Sequence, residues 1–240
     1  MDKKVYENMK NLGDKNWWFS IQKKIVGLFL DRNLTKTQNH KILDVGCGTG
    51  RLFKELSLYG DVFGIEIDKE SSEFCNSIGY KFVDNETLGK TNFTDEAFDT
   101  IVCTDVLEHI ENDLDAIHQC FRLLNKDGFL FITVPVVPLF LSKNEKQYGH
   151  FRRYDFISLI RLLKESGFDI LETTYFNIFL MLPIIIIRKI TDIFFTLGVQ
   201  REPMEEINLP SFLNKILKFI FNLEFHIIKH IRIPYGLSLL

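Results

Sequence analysis

Glycines and carboxylates at a definite spacing are the residues of this chain best suited to hold a ligand. Asp44 precedes Gly46, Gly48 and Gly50, and Glu66 comes sixteen residues after the last of these glycines. Glycines permit a tight turn and leave room for a ligand beside the backbone. A carboxylate that ends the next strand is placed to accept hydrogen bonds from ribose hydroxyls. The spacing therefore predicts a site for a cofactor of the nucleotide type.

Three titratable residues follow a later apolar run at 99–103. Glu108 and His109 come three and four residues after Asp105, so on a helix all three would point to one side. An imidazole can take a proton from an attacking oxygen, and imidazoles with carboxylates also suit a divalent cation such as Mg²⁺ or Zn²⁺. We expect His109 and Asp105, with His150 from a later loop, to be catalytic.

The later loop also carries two adjacent arginines. Arg152 and Arg153 directly follow the Gly-His-Phe sequence, with Tyr148 and Tyr154 on either side. Arginine side chains match phosphate or carboxylate oxygens in pairs. We expect these four residues to bind the substrate; for either arginine, the alternative is a surface salt bridge or a link to the cofactor loop.

The composition narrows the class of protein. A chain of 240 residues suffices for one α/β domain with additions. A net charge of −3 argues against a general nucleic-acid binder, so we expect no nucleic-acid partner. The four cysteines are scattered and the N-terminus lacks the apolar core of a signal peptide, which favours reduced thiols in a cytoplasmic protein.

Apolar runs alternate with helical stretches between residues 41 and 135, the pattern of a parallel sheet. A helix capped by Asp155 follows. We expect strands near 41–45, 61–66, 80–83, 99–103 and 129–134, a sixth over 168–175 and a seventh over 234–240.

These segments resemble the class I S-adenosylmethionine-dependent methyltransferases. The G-x-G-x-G spacing with Asp44 before it is similar to their motif I, whereas a dinucleotide-binding pattern would place its third glycine at Arg51. Residues 98–109 resemble the family's fourth strand and the segment after it, and residues 123–135 resemble its fifth. The resemblance implies a Rossmann-like seven-stranded α/β sheet with helices on both faces, its last strand antiparallel between the fifth and sixth.

The resemblance also implies S-adenosylmethionine as the cofactor. Glu66 matches the acid that binds the ribose, Asp44 would meet the ammonium, and Asp84 follows the strand after which the family holds the adenine. The segment after Asp84 departs from the common pattern. The expected cofactor-binding residues are Asp44, Gly46, Cys47, Gly48, Gly50, Arg51, Glu66, Ile67, Asp84, Asp105, Val106 and Leu107.

A metal site is a second implication. The segment from Asp105 to His109 is similar to the E-x-x-E-H metal motif of ubiquinone-pathway O-methyltransferases and small-RNA 2′-O-methyltransferases, with Asp105 in place of the first glutamate. The ligands would be Glu108, His109 and His150. Similar segments occur in relatives that use no metal, so His109 as a metal-free general base, or as a structural residue, remains an alternative.

Two segments lie outside the predicted core. Residues 1–40 are predicted to form a helical cap, whose aromatic residues 17–19 either cover the cofactor or pack on the core. Residues 176–232 are predicted to be a helical insertion between strands six and seven. Its apolar run is too short to span a bilayer, and 211–232 reads as a basic amphipathic helix on a membrane surface. The alternative is packing against the core or a second subunit.

The predicted function is transfer of a methyl group to an oxygen of a lipophilic or lipid-linked acceptor, such as a quinone precursor, a polyprenyl-linked saccharide or a glycolipid. The protein would be cytoplasmic and peripheral on the inner face of the cell membrane, as a monomer or homodimer. Two alternatives are a methyltransferase for a soluble small molecule, with the insertion as a dimer interface, and a non-catalytic regulatory or scaffold protein. The predicted parts are a cap at 1–40, a core at 41–175, an insertion at 176–232 and a final strand at 233–240.

Overall fold

A computed structural model describes residues 16–36, 39–136, 151–181, 210–234 and 236–240. The strands are β1 His40–Val45, β2 Gly60–Ile65, β3 Phe82–Asp84, β4 Phe98–Thr104, β5 Leu124–Pro135, β6 Tyr175–Phe176 and β7 Ser238–Leu239. The α-helices are α1 Trp17–Asn33, α2 Phe53–Leu56, α3 Lys69–Ile78, α4 Asp113–Leu123, α5 Phe156–Glu165 and α6 Ser211–Ile228. Short 3₁₀ helices span Leu88–Lys90 and Leu107–His109.

The seven strands form one sheet in the order β3-β2-β1-β4-β5-β7-β6. β1 to β5 pair in parallel, and β7 runs antiparallel between β5 and β6. This topology confirms the predicted Rossmann-like sheet. Val45 pairs with Ile65 on one side and with Cys103 on the other, so β1, β2 and β4 end at one edge. The residues that follow these three strands therefore meet there.

Both faces of the sheet are covered, which explains why Ile42, Leu43 and Val45 of β1 are all buried apolar residues. Successive strand residues point to opposite faces. Ile42 packs into the cluster that includes α1 and α6, whereas Leu43 packs into the cluster that includes α4 and α5. The helices thus hold the central strands, and with them the edge that follows Val45, in a fixed place.

Helix α1 packs along α6 and is bonded to it at both ends. The backbone N–H of Trp17 donates to Asn214 Oδ1 at 2.8 Å, and Arg32 Nη2 donates to the carbonyl oxygen of Lys229 at 2.8 Å. The side chain of Asn16 caps α1 by accepting from the N–H of Trp18. Described parts of the predicted cap and of the predicted insertion therefore form one layer on the sheet.

Some predicted bounds were wrong. The sixth strand spans Tyr175–Phe176 and not 168–175, because β7 offers only Ser238 and Leu239 as pairing partners. Helix α6 ends at Ile228, short of the predicted 232. β5 begins at residue 124, five residues before its predicted start, because Leu124 pairs with Phe98 ahead of an irregular turn.

Candidate functional site

The glycine turn after β1 has a backbone that other residues rarely adopt. Gly46, Gly48 and Gly50 have φ angles of +64°, +54° and +70°. A Cβ at Gly46 would lie 2.6 Å from Val106 Cγ2, so close packing also requires a glycine there. A Cβ at Gly48 would meet nothing nearer than a carbonyl oxygen at 4.0 Å. Val106 therefore packs against the turn at Gly46, whereas the space beside Gly48 is open and a ligand can approach the backbone there.

Glu66 supports the open part of this turn. Its carboxylate is buried, and it accepts hydrogen bonds from the N–H of Gly48 at 2.8 Å and of Asp68 at 2.9 Å. Asn85 Nδ2 donates to the carbonyl oxygen of Glu66 at 2.7 Å. The carboxylate thus supports the turn from the end of β2, and carboxylate oxygens are acceptors for hydroxyl groups. This arrangement fits a ribose at the position predicted from the sequence.

Asp44 is a second buried carboxylate at the same turn, with 2% of its surface exposed. Tyr80 donates its hydroxyl to Asp44 Oδ2 at 2.8 Å. Burial raises the pKa of Asp44 to about 7; the charge of Glu66 adds to the shift, while the Tyr80 bond and the Arg51 guanidinium oppose it. Two buried carboxylates at one turn favour a cationic group as the ligand.

Asp105 is fixed between the sheet and α1. Its backbone is left-handed, with φ +53°. Thr133 Oγ1 donates to Asp105 Oδ1 at 3.0 Å, and Gln22 Nε2 donates to Asp105 Oδ2 at 2.5 Å. The carboxylate that was expected to bind the cofactor thus also ties α1 to the carboxyl ends of the strands.

The helix on which Asp105, Glu108 and His109 would point to one side does not form. A left-handed residue cannot continue a right-handed helix, and only Leu107–His109 form a short 3₁₀ turn. Glu108 is buried, whereas His109 is partly exposed. The 3₁₀ turn thus leaves His109 partly exposed, close to the carboxyl end of β4.

The described residues include Glu108 and His109, two of the three expected metal ligands. Within the described ranges, no three His, Cys, Asp or Glu side chains are grouped as a metal site. His150, the third expected ligand, lies outside the described residues. A metal at Glu108, His109 and His150 stays a prediction.

The other predicted cofactor-binding residues differ from one another in their surroundings. The thiol of Cys47 lies 3.9 Å from that of Cys75 in the core, so Cys47 offers only its backbone to the turn. Leu107 is core as well. Asp84 is buried and accepts from the Thr91 hydroxyl and the Asn92 N–H, so its carboxylate holds the following loop. Ile67, directly after Glu66, is exposed.

Helix α1 lies beside the glycine turn. The sequence left two roles open for its aromatic residues, covering the cofactor or packing on the core. The ring of Phe19 stacks on the Arg51 guanidinium at 3.8 Å, and Gln22 reaches Asp105 from one helical turn further along. Phe19 and Trp17 are buried, so the expected aromatic residues pack inward. Gln22, Tyr80 and Thr133 were missed by sequence reasoning. The available signal was Gln22 itself, a polar residue among the buried positions of α1.

The predicted substrate arginines line a separate cavity of about 280 Å³ beside α5. Arg152 forms an ion pair with Asp113 at 2.5 Å, and Tyr154 donates to the same carboxylate at 2.8 Å. Although burial opposes it, these two hydrogen bonds hold the pKa of Asp113 below its usual value. Arg153 is buried and donates to the carbonyl oxygen of Val136 at 2.8 Å.

These contacts show a structural role for the arginines. The charge of Arg152 is already balanced by Asp113, as the salt-bridge alternative expected. Tyr148 lies outside the described residues. Substrate binding by Arg152, Arg153 and Tyr154 stays a prediction.

Known proteins are similar in sequence to this chain over the region that contains the site. The methyltransferase domain family matches residues 20–173. The ubiquinone biosynthesis O-methyltransferase of Actinobacillus pleuropneumoniae serotype 5b is 35% identical over 128 residues, which are 47% of this chain and 49% of that protein. The chain thus spans about half the length of the curated relatives it matches.

Solved structures share the fold. A SAM-dependent methyltransferase from Methanosarcina mazei is 21% identical with a TM-score of 0.53, over 62% of this chain and 88% of that one. The [4+2]-cyclase SpnF is 20% identical with a TM-score of 0.53, over 62% of this chain and 58% of that one. The family match covers more than half of the chain and contains the glycine turn, the carboxylates and most of the sheet. This chain therefore belongs to the methyltransferase domain family.

Proposed function

We propose that this chain is an S-adenosylmethionine-dependent methyltransferase. One observation carries the proposal: two buried carboxylates, Asp44 and Glu66, flank a glycine turn that is open at Gly48. Negative charge at this position opposes the pyrophosphate of a dinucleotide and favours a ligand that has an ammonium, a sulfonium and a ribose. The family membership supports the same cofactor.

The residues present fit this cofactor. Glu66, which directly follows β2 and bonds the open part of the turn, is placed to accept from the ribose hydroxyls, and Asp44, once ionised, can meet the ammonium directly or through water. Asp105, held by Gln22 and Thr133, would border the methionine portion. Gly48 lets the cofactor approach the backbone without a clash.

The cofactor supplies an electrophilic methyl group on a sulfonium that is already a good leaving group. The protein has to hold the acceptor in line with that methyl, and such positioning contributes roughly 7–11 kcal/mol in favourable cases. We assign to His109 the removal of the acceptor's proton, because its imidazole is partly exposed at the carboxyl edge.

We further propose an oxygen of a lipophilic or lipid-linked acceptor as the methyl-accepting atom. Relatives named ubiquinone biosynthesis O-methyltransferases support an oxygen acceptor and a quinone precursor. Acceptors of this kind are held in membranes, so the proposed place of action is the inner face of the cell membrane. Among the described residues, no helix is long and apolar enough to cross a bilayer.

Competitive binding tests the cofactor. Calorimetric titration is expected to show binding of S-adenosylhomocysteine and none of NAD⁺. Glu66→Ala removes the acceptor of two hydroxyl hydrogen bonds, so affinity should fall about tenfold to a hundredfold. The matched control is Glu73→Ala, an exposed glutamate on α3. Binding of NAD⁺, or unchanged affinity in Glu66→Ala, would contradict the proposed site.

A further inference from the structure

Helix α6 presents a continuous apolar stripe to solvent. Its members recur every three or four residues, so they lie on one side of the helix and continue just beyond its end. Each is a large side chain between 39% and 66% exposed. The stripe consists of Phe212, Ile216, Phe219, Leu223, Ile227 and Ile231.

The opposite side of α6 fixes the direction in which this stripe faces. Phe221, Glu224 and Ile228 are buried against the core. The Glu224 carboxylate accepts from the N–H of Ile178 and of Phe179, at 3.1 and 3.3 Å. Since these bonds join α6 to the chain directly after β6, the outward stripe follows from how the helix is anchored.

The charges near the stripe have one sign. Residues 211–232 contain Lys215, Lys218, Lys229 and Arg232, and their sole acidic residue is the buried Glu224. Lys229 also lies over the ring of Phe225, 4.9 Å from its centroid. Lysine and arginine can lay their apolar stems along such a surface and keep their charges in the headgroup layer.

We propose that the stripe is a docking surface for a bilayer that contains anionic phospholipid. Apolar residues along one side of a helix, with basic residues beside them, bind in the plane of a membrane interface. A second copy of this chain fits less well, because two such helices face to face would bring like charges together. Lipid needs no matching shape and supplies the negative charge. The proposal holds whether or not the site transfers methyl groups.

Vesicle binding by the full chain tests this surface. Co-sedimentation is expected with vesicles of phosphatidylcholine and phosphatidylglycerol at low salt, and weaker binding is expected at high salt or with phosphatidylcholine alone. Phe212→Gln/Phe219→Gln/Leu223→Gln should lower the partition coefficient about tenfold or more. Lys215→Gln/Lys229→Gln should lower it several-fold and flatten its salt dependence. The control, Leu58→Gln/Ile157→Gln/Leu171→Gln, replaces equally exposed residues elsewhere and should bind like the parent chain.

Titration with S-adenosylhomocysteine shows that each variant is folded and separates this test from that of the cofactor site. Equal vesicle binding by the stripe variant and the parent chain would overturn the proposal. So would a parent chain that ignores anionic vesicles and forms a dimer that the stripe variant does not form, which would make a second copy the occupant. Failure of a monomeric parent chain to bind anionic vesicles would also overturn it.

Discussion

The surroundings of Asp44 bring the titration of its carboxyl group into the neutral pH range. It is buried next to Glu66, and its pKa is raised to about 7 despite the hydrogen bond from Tyr80. The sequence predicted Asp44 from its place two residues before the first glycine of motif I, and Glu66 because it directly follows an apolar strand. It did not predict Tyr80, since a tyrosine 36 residues away carries no local sign of such a bond. The position of a residue near the end of a strand can be predicted from the sequence, whereas the partner that it contacts in the core is set by tertiary packing.

This pKa leads to a prediction about stability and binding. The folded protein binds a proton on Asp44 that the unfolded chain has lost above its ordinary pKa of 3.8. Stability should therefore fall as pH rises from about 4 to about 7, by an amount on the order of a few kcal/mol. Affinity for S-adenosylhomocysteine should rise over the upper part of that range, because the ammonium prefers the ionised carboxylate.

Asp44→Asn is the variant that isolates the effect. Chemical denaturation from pH 4 to pH 8 should give a flatter stability profile for the variant than for the parent chain, and calorimetry should show an affinity that no longer rises near pH 7. Parallel profiles in the two proteins would show that Asp44 does not titrate in this range.

At the scale of elements, the local sequence pattern predicted the three strands whose carboxyl ends meet at the site. β1, β2 and β4 lie within a residue of their predicted bounds because each contains a run of buried apolar residues. A helix from Asp105 to His109, on which three titratable residues would point to one side, does not form. The left-handed backbone of Asp105 accompanies bonds to Thr133 and Gln22, which lie 28 and 83 residues away. Such long-range bonds leave no mark in a local pattern.

The bond between Gln22 and Asp105 predicts that α1 contributes to cofactor binding. Gln22→Ala removes a hydrogen bond to a carboxylate at the site and loosens the contact of α1 with the turn, so affinity for S-adenosylhomocysteine should fall about tenfold. Calorimetry measures the affinity, and thermal unfolding checks that the fold persists. Ser20→Ala on the same helix is the control. Equal affinities for Gln22→Ala and Ser20→Ala would assign α1 a purely structural role.

Over the whole molecule, the sheet brings its site residues to one edge while α1 and α6 cover one of its faces. The sequence predicted this architecture because apolar runs, turns and motif I agree with one another along the core. It could not show that α1 and α6 pack together, since their contacts join residues nearly 200 positions apart. The same fold occurs in a methyltransferase and in a [4+2]-cyclase, so the reaction depends on the site and not on the fold.

Methyl transfer itself is the central claim, and one assay tests it most directly. The protein is incubated with methyl-labelled S-adenosylmethionine and a cell extract that contains membranes, and the products are partitioned between organic solvent and water. The account predicts label in the organic phase, and loss of that label with His109→Ala while S-adenosylhomocysteine still binds. Label only in water would contradict the lipophilic acceptor, and the absence of transfer to either phase would contradict the proposed methyltransferase activity.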